Sequence, residues 1–402
     1  MHTRVTADRL WDGTTLHTKP RIDIEGGRMV SIGSAAQSSN EALRFPSATL
    51  ASAFFDVHIH GACGHDAMEA TPGALASIGR FLAAHGTATF LPTTVTAPLD
   101  AILRSVSALA ALIRNPRLIA ECAAGEPIAL PVGIHLEGPF LSHLKRGVQP
   151  EEHLLAPDPA LFDRIFEAAE GQIRLMTLAP ELPGALELIA HATRRGVRVS
   201  LGHSNATAAE TRAAIATGAV SATHTFNAMR PLDHREPGIA GTVLADDSVF
   251  AELISDGIHV APEIVRLWAR AKGPARGILV TDSISAAGMP DGEYSLGGFP
   301  VQVSGGRATA RGVLAGSTLT LDRALENFLA FTGWPLEQAL PLLTTNPAAL
   351  AGLSGQLGSI AVGRSANIVA LDPAGRLVAS ILDGKLAPGI PVDRRPISQR
   401  RL

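Results

Sequence analysis

Metal-binding residue types recur at the ends of short apolar runs in this 402-residue chain. The residues at these ends are His58, His60, Glu137, His203, His224 and Asp282. Side chains two positions apart on a strand share a face, so His58 and His60 can point at one ion. Imidazole and carboxylate groups without a thiolate suit Zn²⁺ or Fe²⁺ acting as a Lewis acid on bound water. The pattern therefore predicts a metal-assisted hydrolytic site.

Two carboxylates at these ends need particular explanation. Glu137 lies in an otherwise apolar run, where a cation or hydrogen-bond donors must offset the cost of desolvating it, so we expect a metal ligand. Asp282 ends the last run, where it is placed to act as a general base, although capping of the segment that follows is the alternative. A single histidine at a strand end is usually structural; recurrence at several ends favours ligation here.

The elements that position these residues follow a regular pattern. Alanine-rich, helix-like segments separate eight short apolar runs, at 54–59, 87–91, 128–136, 173–178, 197–201, 219–225, 249–254 and 277–281. Eight strand–helix units in about 300 residues predict an α/β fold, a (β/α)8 TIM-like barrel with its chemistry at the carboxyl ends of the strands. An open doubly wound sheet is the alternative. It is less favoured because no Gly-x-Gly-x-x-Gly follows the first run.

Both chain ends differ from this central pattern. Residues 1–50 and 356–402 contain short alternating strands with turn residues between them, and neither end has enough apolar surface to fold alone. We therefore expect one small β-sandwich domain built from both ends, around a barrel in residues 51–355. Glycine pairs at 297–298 and 305–306 predict a hairpin in the insertion 289–313, and four arginines near the C-terminus predict a solvated tail.

Composition excludes several classes of function. The chain has 34 Lys and Arg against 37 Asp and Glu, a formal charge of −3, so it lacks a broad basic face for nucleic acid or anionic membranes. Two uncharged stretches, 81–99 and 338–363, contain too many helix breakers to cross a bilayer. With two cysteines there is no disulfide framework. We expect a cytoplasmic protein that binds neither nucleic acid nor membrane.

Nine segments carry a resemblance to a known family. They are Asp-Val-His-Ile-His-Gly at 56–61, His-Leu-Glu-Gly-Pro-Phe at 135–140, Thr-Leu-Ala-Pro-Glu at 177–181, Gly-His-Ser-Asn-Ala at 202–206, Thr-His-Thr-Phe-Asn-Ala-Met at 223–229, His-Arg-Glu-Pro-Gly at 234–238, Asp-Gly-Ile-His-Val at 256–260, Val-Thr-Asp at 280–282 and Leu-Ala-Gly-Ser at 314–317. In type and order these segments resemble the N-acetylglucosamine-6-phosphate deacetylases of the amidohydrolase superfamily. The resemblance extends over nearly the whole chain.

The resemblance implies an activity and a site. The activity is metal-dependent hydrolysis of the acetamide of N-acetyl-D-glucosamine 6-phosphate to D-glucosamine 6-phosphate and acetate, in amino-sugar catabolism. Glu137, His203 and His224 match the family's principal metal site, and His58 and His60 match a second site that only some members have. One or two ions per subunit are therefore implied.

Substrate contacts follow from the same resemblance. Asp282 matches the catalytic aspartate, while His259 and Arg235 match residues that hold the sugar phosphate, with Asn227 and Ala228 contacting the same group. In related enzymes this arginine reaches across a dimer interface, so a homodimer is implied. The alternative for Arg235 is a surface ion pair with its neighbour Glu236.

One position departs from the family pattern. Many relatives place histidine where this chain has Gln149, in a polar loop at 141–159 that is long enough to close over a substrate. Glutamine can donate a hydrogen bond to the substrate carbonyl or to a sugar hydroxyl, but it carries no charge. The sugar epimer is therefore left open, and N-acetylgalactosamine 6-phosphate is the nearest alternative substrate.

Two further functions would fit part of this pattern. A cyclic-amide hydrolase of the same superfamily usually bridges two metals with a carboxylated lysine, but the third and fourth runs end without lysine and Glu137 takes that position. A sugar-phosphate sensor that has the fold without the activity would need no proton shuttle, and the presence of Asp282 beside a full ligand set argues against it.

Overall fold

Eight parallel strands form the centre of the structure, a computed structural model that describes residues 2–34 and 42–389. In chain order, the first to eighth barrel strands are Phe54–Ile59, Thr87–Pro92, Ile134–Glu137, Ile173–Leu178, Arg198–Leu201, Ala219–Ala222, Phe250–Leu253 and Gly277–Leu279. Parallel ladders join the first to the second strand and the third through to the eighth. Parallel bridges Thr93–His135 and Ile59–Ser283 close the two remaining gaps. The predicted barrel is confirmed.

Two of the barrel strands end earlier in the chain than the apolar runs suggest. The run at 219–225 is a strand only to Ala222, and the run at 277–281 only to Leu279, because His224 and Asp282 take positive φ angles of 30° and 49° and bend the chain. The run at 128–136 divides into Leu130–Pro131 and Ile134–Glu137. The break lies at residues 132–133, where the N–H of Val132 donates to the carbonyl oxygen of Phe90 at 3.1 Å.

Helices surround the barrel. The α-helices are Pro72–Ala84, Leu99–Arg114, Arg117–Cys122, Pro159–Ala168, Ala185–Arg194, Ala208–Thr217, Gly238–Leu244, Pro262–Arg276, Leu321–Thr332, Leu336–Ala339 and Thr345–Leu350. Short 3-10 helices are Ala67–Glu69, His143–Lys145, Glu151–His153 and Leu340–Leu343. In Leu99–Arg114, the buried residues Ile102, Val106 and Leu109 share one face, each contributing about 1.5–3 kcal/mol when fully buried. Such faces hold the helices against the barrel.

A chain of hydrogen bonds crosses the barrel interior. His135 Nε2 lies 2.8 Å from Thr177 Oγ1, which lies 2.7 Å from Thr223 Oγ1, and Thr223 donates to Ser200 Oγ at 2.7 Å. These four residues come from the third to fifth strands and the end of the sixth, and all are buried. Buried polar groups satisfied in this way tie neighbouring strands together beneath the carboxyl ends.

The two chain ends form one eight-stranded sheet. Its strands are His2–Trp11, Leu16–Thr18, Pro20–Glu25, Arg28–Ser34, Ala42–Ser52, Ile368–Leu371, Leu377–Leu382 and Lys385–Leu386. The ends meet where Ile368 pairs with Ser52 and Leu371 with Thr49. The residues of both chain ends share a separate apolar core, which includes Val5. The predicted small β-domain from both ends is confirmed, and the exact limits at residues 50 and 355 stay a prediction.

The insertion after the eighth strand is a small antiparallel sheet. Its strands are Gly292–Leu296, Phe299–Ser304, Arg307–Ala310 and Val313–Leu314, with the glycine pairs at 297–298 and 305–306 in the turns, as predicted. Gly297 has φ +55°, and a Cβ there would lie 1.9 Å from Val95. The C-terminal arginines lie outside the described residues. Within the described part of the chain, no helix combines the length and apolar character needed to span a membrane.

Candidate metal and catalytic site

Three side chains from different barrel strands meet at the carboxyl end of the barrel. Oε1 of Glu137, which ends the third strand, lies 3.2 Å from Nε2 of His203 and 3.4 Å from Nε2 of His224. The two histidine Nε2 atoms are 3.1 Å apart. All three side chains are buried, and we call this group the first position.

A second group shares Glu137. Nε2 of His58 lies 3.5 Å from Oε1 of Glu137, and Nε2 of His60 lies 3.4 Å from Oε2. Both histidines come from the first strand and its end, as their i, i+2 spacing predicts. We call His58, His60 and Glu137 the second position.

The residues of both positions fit a divalent cation. In each position one ligand atom per residue lies within 4.8 Å of the others. Nε2 of His58 and Oε1 of Glu137 are buried without a hydrogen-bond partner in the described part of the chain. Two imidazoles and a carboxylate without sulfur form a donor set that suits Zn²⁺ or Fe²⁺. Such a cation would satisfy the groups that hydrogen bonds leave unpaired.

The opposite ring nitrogens of three of these histidines have oxygen partners, whereas Nδ1 of His224 has none in the described part of the chain. Nδ1 of His60 lies 3.2 Å from the carbonyl oxygen of Thr93, and Nδ1 of His203 lies 3.2 Å from that of Lys145. Since a carbonyl oxygen only accepts hydrogen bonds, each Nδ1 carries the proton and donates it. Each Nε2 is then left to face the shared centre, which is the usual arrangement of histidine at metal sites.

Asp282 lies against both histidines of the second position. Its Oδ1 is 3.1 Å from Nε2 of His60 and 3.4 Å from Nε2 of His58. Burial alone would raise the pKa of Asp282, but the charge of His58 and the hydrogen bond from His60 outweigh it and lower the pKa to about 2. The side chain is therefore a carboxylate at neutral pH, able to accept a proton.

The same charges shift the pKa values of the histidines and of Glu137. Burial would lower the pKa of His60, but hydrogen bonds and charge from Asp282 and Glu137 raise it to about 9. Burial would raise the pKa of Glu137, but the neighbouring histidines hold it well below its usual range. His135, beneath the site, has its pKa lowered by burial, so it stays neutral. The site is a compact set of opposite charges.

Backbone strain is concentrated at the site. His203, His224 and Asp282 have φ angles of 47°, 30° and 49°, in the left-handed region that side chains other than glycine rarely occupy. Each such residue costs about 1–3 kcal/mol and persists only where surrounding structure enforces it. The bends turn these side chains from the strand ends toward one point.

The predicted phosphate-binding residues lie in two different settings. Nδ1 of His259 donates to Asp256 at 2.6 Å; burial would lower the pKa of His259, but this bond and the charge of Asp256 raise it. Asn227 donates its side-chain N–H to the carbonyl oxygen of His224 at 3.2 Å, and Ala228 follows it in the same turn. These three residues therefore lie on segments that directly follow barrel strands.

Arg235 instead lies on an exposed turn. Its backbone N–H donates to Asp233, and its side chain makes no hydrogen bond or ion pair with any residue in 2–34 or 42–389. The alternative pairing with Glu236 is not formed, because Glu236 accepts hydrogen bonds from the backbone of Ala208 and Gly238. The side chain is therefore available to a group from outside the chain.

Gln149 contacts the first position directly. Its side-chain N–H donates to Oε2 of Glu137 at 3.0 Å, and its oxygen accepts the backbone N–H of Thr96 at 2.7 Å. The loop around it also contacts His203, whose carbonyl oxygen accepts the Ser142 N–H at 2.9 Å. Gln149 therefore orients Glu137, a role that the sequence did not suggest; its contact with substrate stays a prediction.

One buried carboxylate was missed in the sequence. Glu252, on the seventh strand, has no exposed surface, and its Oε2 lies 3.2 Å from Nδ1 of His58. The signal is present, because Glu252 is the only charged residue in the run 249–254, and Glu137 directly follows the run 128–136, which has no Asp, Glu, Lys or Arg. Desolvation reasoning that selected Glu137 applies equally here.

Comparison with known proteins identifies the family to which this chain belongs. The model of the amidohydrolase family matches residues 49–390, which include the whole barrel. The chain belongs to the amidohydrolase family. This amidohydrolase is 39% identical over 339 residues to the N-acetylgalactosamine-6-phosphate deacetylase of Escherichia coli O157:H7, covering 84% of this chain and 87% of the relative. It is 37% identical over 337 residues to the N-acetylglucosamine-6-phosphate deacetylase of Bacillus subtilis (strain 168), covering 83% of each.

Two similar solved structures have the same enzyme name as the Bacillus subtilis relative. The amidohydrolase superposes with a TM-score of 0.88 on a mutant N-acetyl-D-glucosamine-6-phosphate deacetylase from Mycobacterium smegmatis in complex with N-acetyl-D-glucosamine-6-phosphate, at 37% identity, covering 96% of this chain and 99% of that one. The Thermotoga maritima N-acetylglucosamine-6-phosphate deacetylase gives 0.84 at 33% identity, covering 96% and 100%. The resemblance inferred from the nine segments is confirmed.

Proposed function

We propose that this amidohydrolase is a metal-dependent N-acetylglucosamine-6-phosphate deacetylase that releases acetate and D-glucosamine 6-phosphate. The observation that carries the proposal is the placement of Asp282 within 3.4 Å of His58 and 3.1 Å of His60, beside the cation group centred on Glu137. Relatives of that name are 36–37% identical over most of the chain, from bacteria to mammals.

The residues of the first position would hold the cation. They are Glu137, His203 and His224, and the second position offers His58 and His60 for a further ion. When bound, Zn²⁺ or Fe²⁺ lowers the pKa of water and polarises a carbonyl, which an unactivated acetamide requires. One or two ions per subunit are compatible with these groups, and the identity of the metal is part of the proposal.

Asp282 would move the proton. Its carboxylate is ionised at neutral pH, so it can take a proton from the attacking water. The same carboxyl group then delivers that proton to the departing nitrogen, because an unprotonated amide nitrogen is a very poor leaving group. When the second position holds no ion, Nε2 of His60, 3.1 Å from Oδ1 of Asp282, would hold the carboxylate in place for both steps.

The sugar phosphate would be bound away from the reacting amide. Arg235 offers a planar fork of donors suited to a phosphate dianion, and His259, Asn227 and Ala228 lie on segments following the sixth and seventh strands. Since the Arg235 side chain is exposed and has no partner within the described ranges, we further propose that it serves the site of a second subunit in a homodimer. We also propose that the protein is cytoplasmic.

N-acetylgalactosamine 6-phosphate is the second candidate substrate. The Escherichia coli deacetylase for that sugar is 39% identical to this chain, and Gln149 stands where the family resemblance implies a histidine. The cyclic-amide alternative has less support, because the third and fourth strands end in Glu137 and Leu178 rather than lysine.

Initial rates of acetate release on the two phosphorylated sugars test the proposal. The chain, reconstituted with Zn²⁺ or Fe²⁺, is expected to release one acetate per amino sugar formed, with a higher kcat/KM for the glucosamine epimer. A higher kcat/KM for the galactosamine epimer would transfer the assignment to that sugar. Failure to release acetate from either sugar would reject the proposal.

A further inference from the structure

Glu252 is a fully buried carboxylate beneath the metal site. It lies in the strand Phe250–Leu253, where every other residue is apolar and buried. Its Oε1 has no hydrogen-bond partner in the described ranges of the chain. Burying a carboxylate costs several kcal/mol unless its interactions compensate, so packing alone does not account for a glutamate here. Its other side-chain oxygen, Oε2, contacts His58 and His224.

The first contact fixes a histidine of the second position. Oε2 of Glu252 lies 3.2 Å from Nδ1 of His58. A carboxylate oxygen only accepts, so Nδ1 must carry a proton and donate it. The other ring nitrogen, Nε2, is thereby aimed at Glu137 and Asp282, 3.5 and 3.4 Å away.

The second contact fixes a histidine of the first position. The same Oε2 accepts the backbone N–H of His224 at 3.3 Å, and the main-chain oxygen of Glu252 accepts the N–H of Thr225 at 2.9 Å. His224 has a φ of 30°, a strained conformation that needs support from its surroundings. Glu252 therefore supports one histidine from each position.

We propose that Glu252 is a positioning residue that orients the ring of His58 and holds the backbone of His224, so that both histidines present Nε2 to the cation. The inference rests on the proposed function only in that it assumes a bound cation. It goes beyond that function because it assigns a role to a residue that contacts neither the cation nor the sugar. Hydrogen-bond partners of metal-ligating histidines usually change metal affinity or activity by about 10- to 100-fold when removed.

Zinc affinity of the full-length chain tests this inference without any sugar. Chelator-treated protein is titrated with Zn²⁺ against a chromophoric chelator, for the wild type, Glu252→Ala and Glu252→Gln. We expect Glu252→Ala to weaken zinc binding by about 10- to 100-fold. Glu252→Gln keeps one accepting oxygen, so it should recover part of this loss and weaken binding by about three- to tenfold.

Asp322→Asn is the matched control. Asp322 is also a buried carboxylate that accepts from a histidine, with Nδ1 of His85 at 3.0 Å, but none of its partners belongs to either cation position. We expect it to bind zinc within about twofold of the wild type. Zinc affinity of Glu252→Ala within twofold of the wild type would overturn the inference. If Glu252→Ala does not fold, equal affinities of Glu252→Gln and Asp322→Asn would overturn it.

A spectroscopic readout separates positioning from general stability. In zinc-loaded wild-type protein with ¹⁵N-labelled histidine, the His58 signals, assigned by their loss in His58→Gln, should show a proton on Nδ1. An Nδ1 without a proton would contradict the hydrogen bond to Glu252. Because neither measurement uses substrate, the inference can fail while the deacetylase proposal stands, and the reverse also holds.

Discussion

His203 and His224 present their Nε2 atoms to each other at 3.1 Å, although they follow different barrel strands. Oε1 of Glu137 lies within 3.4 Å of both nitrogens. The ring of His203 is held through Nδ1 by the carbonyl oxygen of Lys145, and His224 is held through its backbone N–H by Glu252, so the two Nε2 atoms need a shared partner where they meet. The proposed hydrolysis depends on that convergence.

Removing either histidine should remove the cation. We expect His203→Ala and His224→Ala each to lose bound metal, measured by elemental analysis, together with acetate release. Both effects follow because two remaining donors hold Zn²⁺ much less tightly than three. His191→Ala is the control, since that histidine pairs with Asp163 outside the site. Either site variant keeping both its metal and its activity would show that the ligands are assigned wrongly.

Replacing Asp282 should separate metal binding from turnover. Asp282→Asn is expected to lower kcat by about 10²- to 10⁴-fold, the usual contribution of a general acid or base, while metal content stays near that of the wild type. Asp247→Asn, an exposed aspartate, should leave both unchanged. Turnover of Asp282→Asn within about tenfold of the wild type would exclude the proton-transfer role.

Arg235 should contribute to binding of the sugar phosphate and contribute little to the hydrolytic step. Arg235→Ala is expected to raise KM for the phosphorylated sugar by about 10- to 100-fold, from the loss of hydrogen bonds to a charged group, with kcat changed far less. Arg266→Ala is the control, since that partly exposed arginine pairs with Glu263. Steady-state kinetics on N-acetylglucosamine without phosphate complete the test. An equal effect on both sugars would argue against contact with phosphate.

The buried pair of Asp322 and His85 should make stability depend on pH. Burial would raise the pKa of Asp322, but the charge of His85 and its hydrogen bond lower the pKa below its usual value. The resulting stabilisation is complete above the unfolded-state pKa of about 3.9 and is lost as the pH falls through the folded-state pKa. We expect Asp322→Asn to lower the free energy of unfolding by about 1–3 kcal/mol at pH 7 and by less below pH 4.

Urea unfolding at the two pH values measures this dependence. Asp8→Asn, at an exposed position of the first strand of the small domain, should change the free energy of unfolding little at either pH. A destabilisation by Asp322→Asn that is the same at both pH values would mean that the ionised carboxylate contributes nothing.

Much of the barrel could be predicted from local sequence. The runs at 54–59 and 173–178 match the observed strands residue for residue, because strands buried on both faces appear as mainly apolar segments. Strand ends were less accurate where functional side chains follow. At His224 and Asp282 the backbone turns into the left-handed region, a feature that apolar patterning does not encode.

The partners of the site residues were harder to predict than the residues themselves. Glu137 is identifiable because it ends an apolar run, but its hydrogen bond from Gln149 depends on how the loop folds back. Glu252 and His58 are 194 residues apart in sequence, so only the closed barrel brings them together. Local sequence identifies chemical groups, whereas their pairing is a property of the tertiary fold.

Anomalous diffraction at the zinc edge, from crystals of the zinc-loaded protein, tests the central claim most directly. We expect a peak about 2.0–2.2 Å from Oε1 of Glu137 and from Nε2 of His203 and His224. A fully loaded protein whose anomalous peak lies away from these three atoms would contradict the claim that they form the metal centre.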